Sequence, residues 1–383
     1  MEKNKSLPLI FITSIVIFFS FFGCETKKVA EVNIGYIGPL TVRATDLGIA
    51  PSNAMQLAVE EYNSNRLNSE PKVNLYIEDD KWDKNNAIPA YNKLRKEHDI
   101  SILFISNTDG TVSVQDNVLE DKVILVNPLN NGNVFNLLNK NVFNIAKSTE
   151  ETNGLVAVRI IELGLKKVAV LQFPNDYMTS ATQEVKRLLD IAKIEINIIP
   201  VKAGQTSFTD QLTLLKDENY DAYVFFGYKE FGFAMKEARA MGITAPFFGS
   251  TVLLDPEFYS NSEGAIIGTE FPFFTQADGN YTRAAEFLTN YENRFAEKPS
   301  SVWPPMQAYD AMNIVLSKLR TINETKDENT AFDDWLREAL YEVNYYQGIC
   351  GNIAISKKGA SKGIYFSLYK FGSKEKPLTQ ITR

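Results

Sequence analysis

Three short stretches collect hydroxyl, amide and carboxylate side chains at close spacing: "GPLTVRAT" (38–45), "SNTDGTVS" (106–113) and "NPLNNGN" (127–133). Hydroxyls, amides and free backbone N–H groups in such loops can receive a carboxylate without a counter-charge. The effect is strongest just before a helix, whose N-terminus favours anions. On residue type alone, Ser, Thr, Asn and Asp are first of all turn and cap residues. A fourth stretch, "YIEDD", offers Glu78, Asp79 and Asp80, and paired carboxylates can do glycosidic acid–base work. Glu78 and Asp80 share one face of a strand end, however, whereas a working pair converges from different elements. His98 is the only histidine, which argues against His-rich metal sites, a Ser–His–Asp triad and a Cys–His pair. The residues point to binding without catalysis, metal or cofactor. An exported hydrolase is the weakest of the three functions weighed, and turnover on a generic substrate panel is the observation that would carry it.

Compartment is read from the N-terminus. Lys3 and Lys5 precede an apolar run from Leu7 to Phe22 that stops at Gly23–Cys24, the order of a bacterial secretory signal. The run is shorter than the ~20 residues that span a bilayer comfortably. A cysteine after Gly at this point resembles the bacterial lipoprotein box, in which the thiol is acylated and the chain cut before it; Phe21 stands where Leu is usual. Residues 1–23 are therefore expected to be a signal peptide, Cys24 the lipidation site and 24–31 a tether. The alternative is an uncleaved anchor helix. Cys350 then has no partner within the chain and reads as an inert small hydrophobe. Without residues 1–23 the chain keeps 38 basic and 46 acidic residues, a net charge of −8, and a mildly acidic, mixed surface argues against nucleic acid as a partner.

The remaining length exceeds one comfortable core and suggests two domains. Strand and helix patterns alternate along it. "VNIGYIG", "VNLYIED", "ISILFIS" and "KVILVN" read as strands. Between them lie the stripes Met55, Ala58, Val59, Tyr62 and Ala87, Ala90, Tyr91, Leu94, then a short helix near 111–120. A second series follows: a helix from Thr149 to Gly164, the strand "KKVAVLQF", and a helix marked by Ala181, Val185 and Leu189. The strands "IEINIIPV" and "AYVFFG" come next, then a helix ended by Gly242, with "APFFGS" and "GAIIGT" closing the series. Three helices occupy the region after 280, "TINETKDENT" reads as a solvated loop, and "GNIAIS" and "GIYFSLYKF" as the final strands. This β-α order predicts two parallel sheets covered on both faces. Their ligand would sit beyond the carboxyl ends of the strands, between two lobes.

The details resemble a known family. "VNIGYIGPLT", "LAVEEYN", "YIEDDKWDKNNAIPAYNKL", "LKKVAVLQFPNDYMTSATQEVKRLL" and the block from "AGQTSFTDQL" to "APFFGS" are similar to segments of type I periplasmic binding proteins, the leucine/isoleucine/valine-binding class. The tail "GICGNIAISKKGASKGIYFSLYKF" has the shape of that class's closing segment. The resemblance covers about residues 32–371. It implies an α/β fold of two Rossmann-like lobes joined by three crossovers, near Ala146–Thr149, Phe271–Phe273 and Lys362–Tyr365. The first lobe is then 30–147 with 273–362, the second 148–272 with 363–383. It implies a small-molecule solute as ligand and ABC permease subunits as partners, with the lipid on Cys24 keeping the protein at the membrane.

Position in the family pattern turns residues of the second and third loops into ligand contacts, Thr108 and Asp109 in the one and Leu129, Asn130 and Asn131 in the other, and Thr41 in the first loop is a further candidate. From the second lobe, Tyr177 matches a tyrosine that closes over the ligand and Tyr228 lies near another. Where amino-acid binders of the class carry an acid for the ammonium, this chain has Thr251. Either Asp109 or Asp176 substitutes, or the ligand is not an α-amino acid. Arg43 replaces a usual small residue and, if inward, favours an anion. A sensory lipoprotein of the same fold, acting on a protein partner, is the second function; the aromatic "EFPFFT", read as an exterior loop, and the missing acid leave it open.

Overall fold

Apolar residues on both faces of the strands dictate the architecture, because such strands must be covered on each side. The computed structural model describes residues 29–381, apart from 43, 133–134, 136–137, 275–281 and 300. The expected signal peptide, Cys24 and Arg43 lie outside the described residues. In the first lobe β1 (Glu31–Gly38), β2 (Lys72–Asp79), β3 (Ile102–Ile105), β4 (Ile124–Asn127) and β5 (Val142–Asn144) form an all-parallel sheet in the order β2-β1-β3-β4-β5. The helices Ile49–Asn65 and Trp303–Leu319 cover one face and Lys84–His98 and Thr108–Glu120 the other. Both helical stripes read from the sequence, Met55 to Tyr62 and Ala87 to Leu94, are buried.

The second lobe holds β6 (Lys167–Gln172), β7 (Glu195–Pro200), β8 (Ala222–Phe226), β9 (Phe247–Gly249) and β10 (Glu270–Phe274). A small antiparallel sheet of β11 (Tyr346–Gln347), β12 (Gly351–Ile355) and β13 (Ser361–Ile364) leads to β14 (Phe366–Phe371) and β15 (Leu378–Gln380). The last two join the second sheet, whose order is β15-β14-β10-β9-β8-β6-β7, with β14 and β15 antiparallel to their neighbours. Order reverses between β1 and β3 in one sheet and between β6 and β8 in the other, so each lobe presents a switch point at its strand ends.

Several expectations change. "EFPFFT" is not an exterior loop: β10 is buried along its whole length, with Glu270 held by Arg159 at 2.7 Å and Lys370 at 3.4 Å. "GAIIGT" is a turn rather than a strand, since Gly264 and Gly268 take φ +89° and +87°. "GIYFSLYKF" breaks at Tyr365 into β13 and β14. "TINETKDENT" contains the short helix Ile322–Thr325 with Ile322 buried. The helix expected near 111–120 starts at Thr108 because Asn107 caps it. The lobe divisions expected at 272/273 and 362/363 fall inside β10 and β13.

One tie joins crossing segments and another closes the base of the first lobe. Ser361, in β13, donates from its hydroxyl to the Ala146 carbonyl at 2.6 Å and accepts from the Ala146 N–H at 3.0 Å, locking two crossing segments together. At the other end of the first sheet, Val29 N–H donates to Asn323 Oδ1 at 2.7 Å and Asn323 Nδ2 to the Val29 carbonyl at 3.0 Å.

Candidate ligand-binding cleft

Beyond β1 and β2 the chain is shaped by adjacent carboxylates. Asp79 Oδ1 accepts from the N–H groups of Leu40 and Lys81, each at 2.8 Å, and its Oδ2 takes the Thr41 hydroxyl at 2.5 Å. Asp80 Oδ1 accepts from Trp82 N–H at 2.8 Å, and Lys81 and Trp82 are both left-handed, with φ 54° and 57°. This strained pair, which needs its surroundings to hold it, delivers Trp82 to the cleft. Glu78 pairs with Lys93 at 2.7 Å. The carboxylates of "YIEDD" thus build a turn and an ion pair.

The asparagines that begin the next two loops also serve the backbone. Asn107 Oδ1 accepts from Asp109 N–H at 3.0 Å and Gly110 N–H at 3.3 Å, and Asn127 Oδ1 from Leu129 N–H at 3.0 Å and Asn130 N–H at 2.8 Å. Their neighbours form a polar relay: Asn130 Nδ2 donates to Thr108 Oγ1 at 3.0 Å, and the Thr149 hydroxyl donates to Asn130 Oδ1. Thr108 therefore keeps its own O–H for another acceptor.

From the second lobe, Asn175 caps the helix Asp176–Ile191, accepting from Met178 N–H at 2.9 Å while its Nδ2 donates to Tyr228 OH at 2.9 Å. Phe173 meets the Tyr228 ring edge-on, with centroids 5.2 Å apart. These contacts fix Tyr177 and Tyr228 facing the first lobe.

Between the lobes lies a cleft of ≈ 630 Å³, within the range of small-molecule sites. Thr108, Asp109, Leu129, Asn130, Tyr177 and Tyr228 line it. Thr41, Asn131 and Thr251 are not among its lining residues. Thr41 is exposed and bound to Asp79, and Asn131 is buried with its Nδ2 on the Ser361 carbonyl at 3.2 Å. Thr251 is fully buried one layer behind the wall. Asp176, named as a substitute acid, does not line the cleft but faces Asp109, whose carboxyl is raised above the usual range by burial and by that neighbour.

One group on the wall was not anticipated. Lys147, 1% exposed, donates from Nζ to Thr251 Oγ1 at 2.6 Å and to Tyr177 OH at 3.0 Å. The Trp303 and Tyr177 rings flank the ammonium at 4.4 and 5.2 Å. Burial alone would push the Tyr177 phenol up, but the Lys147 charge and hydrogen bonds from Lys147, Thr251 and Asn153 outweigh it and leave the phenol below its ordinary value. On the opposite rim Asp46 is pushed up to about 6, first by burial and then by Asp255 across the cleft. Among the described residues no cluster of His, Cys, Asp and Glu is arranged to hold a metal ion.

Residues 31–369 match the family model described as "Periplasmic binding protein". The chain belongs to the periplasmic binding protein family. Among similar proteins is the Leu/Ile/Val-binding protein BraC3 of Rhizobium johnstonii, 22% identical, with 89% of this chain and 92% of that one covered. Among solved structures, the leucine-binding protein LivK of Thermotoga maritima superposes with a TM-score of 0.80 at 18% identity, covering 92% of this chain and 98% of that one. A solute-binding protein of an ABC transporter from R. palustris, in complex with benzoate, gives 0.77 at 16%, covering 92% and 96%. This periplasmic binding protein is thus a two-lobed solute binder rather than an enzyme, and its family implies an exported protein. Among the described residues no helix is long and apolar enough to cross a membrane.

In this periplasmic binding protein the sequence reading missed Asp46, Trp82, Lys147, Ser301 and Trp303, all of which line the cleft. Only Lys147 offered a signal: a lone cation between Ala146 and Ser148, in a segment expected to cross between lobes.

Proposed function

We propose that this periplasmic binding protein is an exported lipoprotein, acylated on Cys24, that captures a small polar solute and delivers it to an ABC permease. The solute classes considered are an amino acid, an amide or a small carboxylate. The observation that carries the reading is the ≈ 630 Å³ cleft, walled by polar side chains from both lobes at the switch points of both sheets. Thr108, Asp109, Leu129 and Asn130 would receive the solute from one side and Tyr177 and Tyr228 from the other, each tyrosine offering a flat face and a hydroxyl. Thr41 and Asn131 support their loops in this reading, and Thr251 acts through Lys147. The Leu/Ile/Val-binding relative and the benzoate-bound neighbour mark amino acids and aromatic acids as reasonable members of a first panel.

Native mass spectrometry of freshly purified protein tests the reading by detecting a retained small molecule. A thermal-shift panel complements it: a solute at ~100 times its Kd adds roughly 2.7 kcal/mol to stability. A sensory role on a protein partner loses part of its support, because Glu270–Phe274 is a buried strand. It regains ground only if no solute shifts the melt and a protein co-purifies.

A further inference from the structure

We propose that Lys147 anchors the single carboxylate of the ligand, so that the cleft selects a small monocarboxylic acid with no ammonium beside the carboxyl group. The inference rests on the carrier reading above and narrows its solute class.

Charge bookkeeping around Lys147 leads there. The side chain is 1% exposed and two of its three N–H donors go to neutral hydroxyls, Tyr177 and Thr251. No carboxylate of the described residues forms an ion pair with it. A buried ammonium compensated only by hydroxyls and two aromatic faces is costly, and an incoming anion removes that cost. A second polar group is available in the same cleft. Ser301, 7% exposed, lines the same cleft and its Oγ has no hydrogen-bond partner among the described residues. Trp303, two residues on, is held flat by Phe274, with the ring planes 13° apart. An ammonium, a free hydroxyl and a planar wall together suit a carboxylate on a flat or apolar body.

The same spot excludes an α-amino acid in the usual orientation of this class. Where those binders place an acid for the ammonium, this chain has Thr251, and Thr251 holds Lys147. An α-ammonium there would meet a like charge. The other walls carry more acid than base. Asp46, Asp83, Asp109, Glu230, Asp255 and Glu257 line the cleft against Lys84 and Lys229, and Lys229 is paired with Glu257 at 2.5 Å, so a second carboxylate directed away from Lys147 would meet a predominantly acidic wall.

The test uses the full chain, stripped of bound solute by unfolding and refolding. It is titrated with benzoate, 4-methyl-2-oxopentanoate, benzamide, succinate and leucine. A monocarboxylate is expected to bind, with its amide and its α-amino counterpart at least roughly 100-fold weaker, the scale set by a buried charge pair. Lys147→Met should lose a similar factor for the acid while folding normally, and Ser301→Ala about tenfold. Equal affinity for acid and amide, tighter binding of leucine than of its oxo acid, or an unchanged acid affinity in Lys147→Met would each overturn the carboxylate anchor while leaving the carrier reading in place. If Lys147→Met does not fold, the wild-type comparison of acid with amide decides alone. Failure of every acid, amide and amino acid to bind would overturn both.

Discussion

Lys147 Nζ and Thr251 Oγ1 lie 2.6 Å apart, joining the segment that leaves the first lobe to the loop after β9 in the second. That bond sets the sign of charge at the wall of the cleft. A hydroxyl at 251 lets the ammonium keep its charge for a ligand; a carboxylate would consume it.

Thr251→Glu is therefore expected to create an internal ion pair with Lys147 and to cost an anionic solute roughly 100-fold in affinity. Titration calorimetry against wild type reads this directly, and undiminished anion binding would remove Lys147 from the site.

Stability should fall as pH rises through the window set by Asp46. Its folded value of about 6 lies above the ordinary 3.8, so the folded state binds the proton more tightly than the unfolded state does. The contribution is present at low pH and is lost between about pH 4 and 6. Asp310, buried and likewise raised to about 6, acts in the same direction. Groups held low, such as Asp79 and Asp334, change only at lower pH. Asp46→Asn should exceed wild type by about 1–2 kcal/mol at pH 7 and match it near pH 4, as read from urea midpoints. A gap that stays constant with pH contradicts this.

Gly48 lies where a side chain has no room: a Cβ there would stand 1.9 Å from the Pro39 carbonyl oxygen. Gly48→Ala must push the first cleft loop aside, at a cost of about 1–3 kcal/mol. Calorimetry should show a drop of several degrees together with weakened solute binding, since Ala44 and Leu47 line the cleft beside it.

Cys350 is fully buried, and its thiol is raised well above the ordinary value, first by burial and then by the Asp310 carboxylate. A thiol so placed is inert. A chromogenic disulfide reagent should label it only in denaturant; labelling of the folded protein at this position would show that the segment just before β12 opens.

Much of this was legible because strands buried on both faces leave continuous apolar runs, as in "ISILFIS" and "AYVFFG". β10 escaped because Pro272 is an unfavourable strand residue and Glu270 looks like surface until Arg159, 111 residues away, is folded beside it. Thr108 and Asn130 were found through their loops, whereas Thr41 has the same chemistry but is turned to Asp79. Lys147 was passed over, despite its place in the crossover, for a physical reason. Lysines are almost never fully buried, and its partner Thr251 is 104 positions further along the chain.

The clasp between Val29 and Asn323 sits at the amino end of β1, while the cleft opens at the strand's far end, beyond Gly38. Fully extended, the five residue steps from Cys24 to Val29 would span at most about 18 Å at ~3.5 Å per residue, a short leash. A lipid on Cys24 would hold the first lobe by its base, with the mouth of the cleft turned from the bilayer. To hand over cargo, the molecule would have to tip over on that short leash.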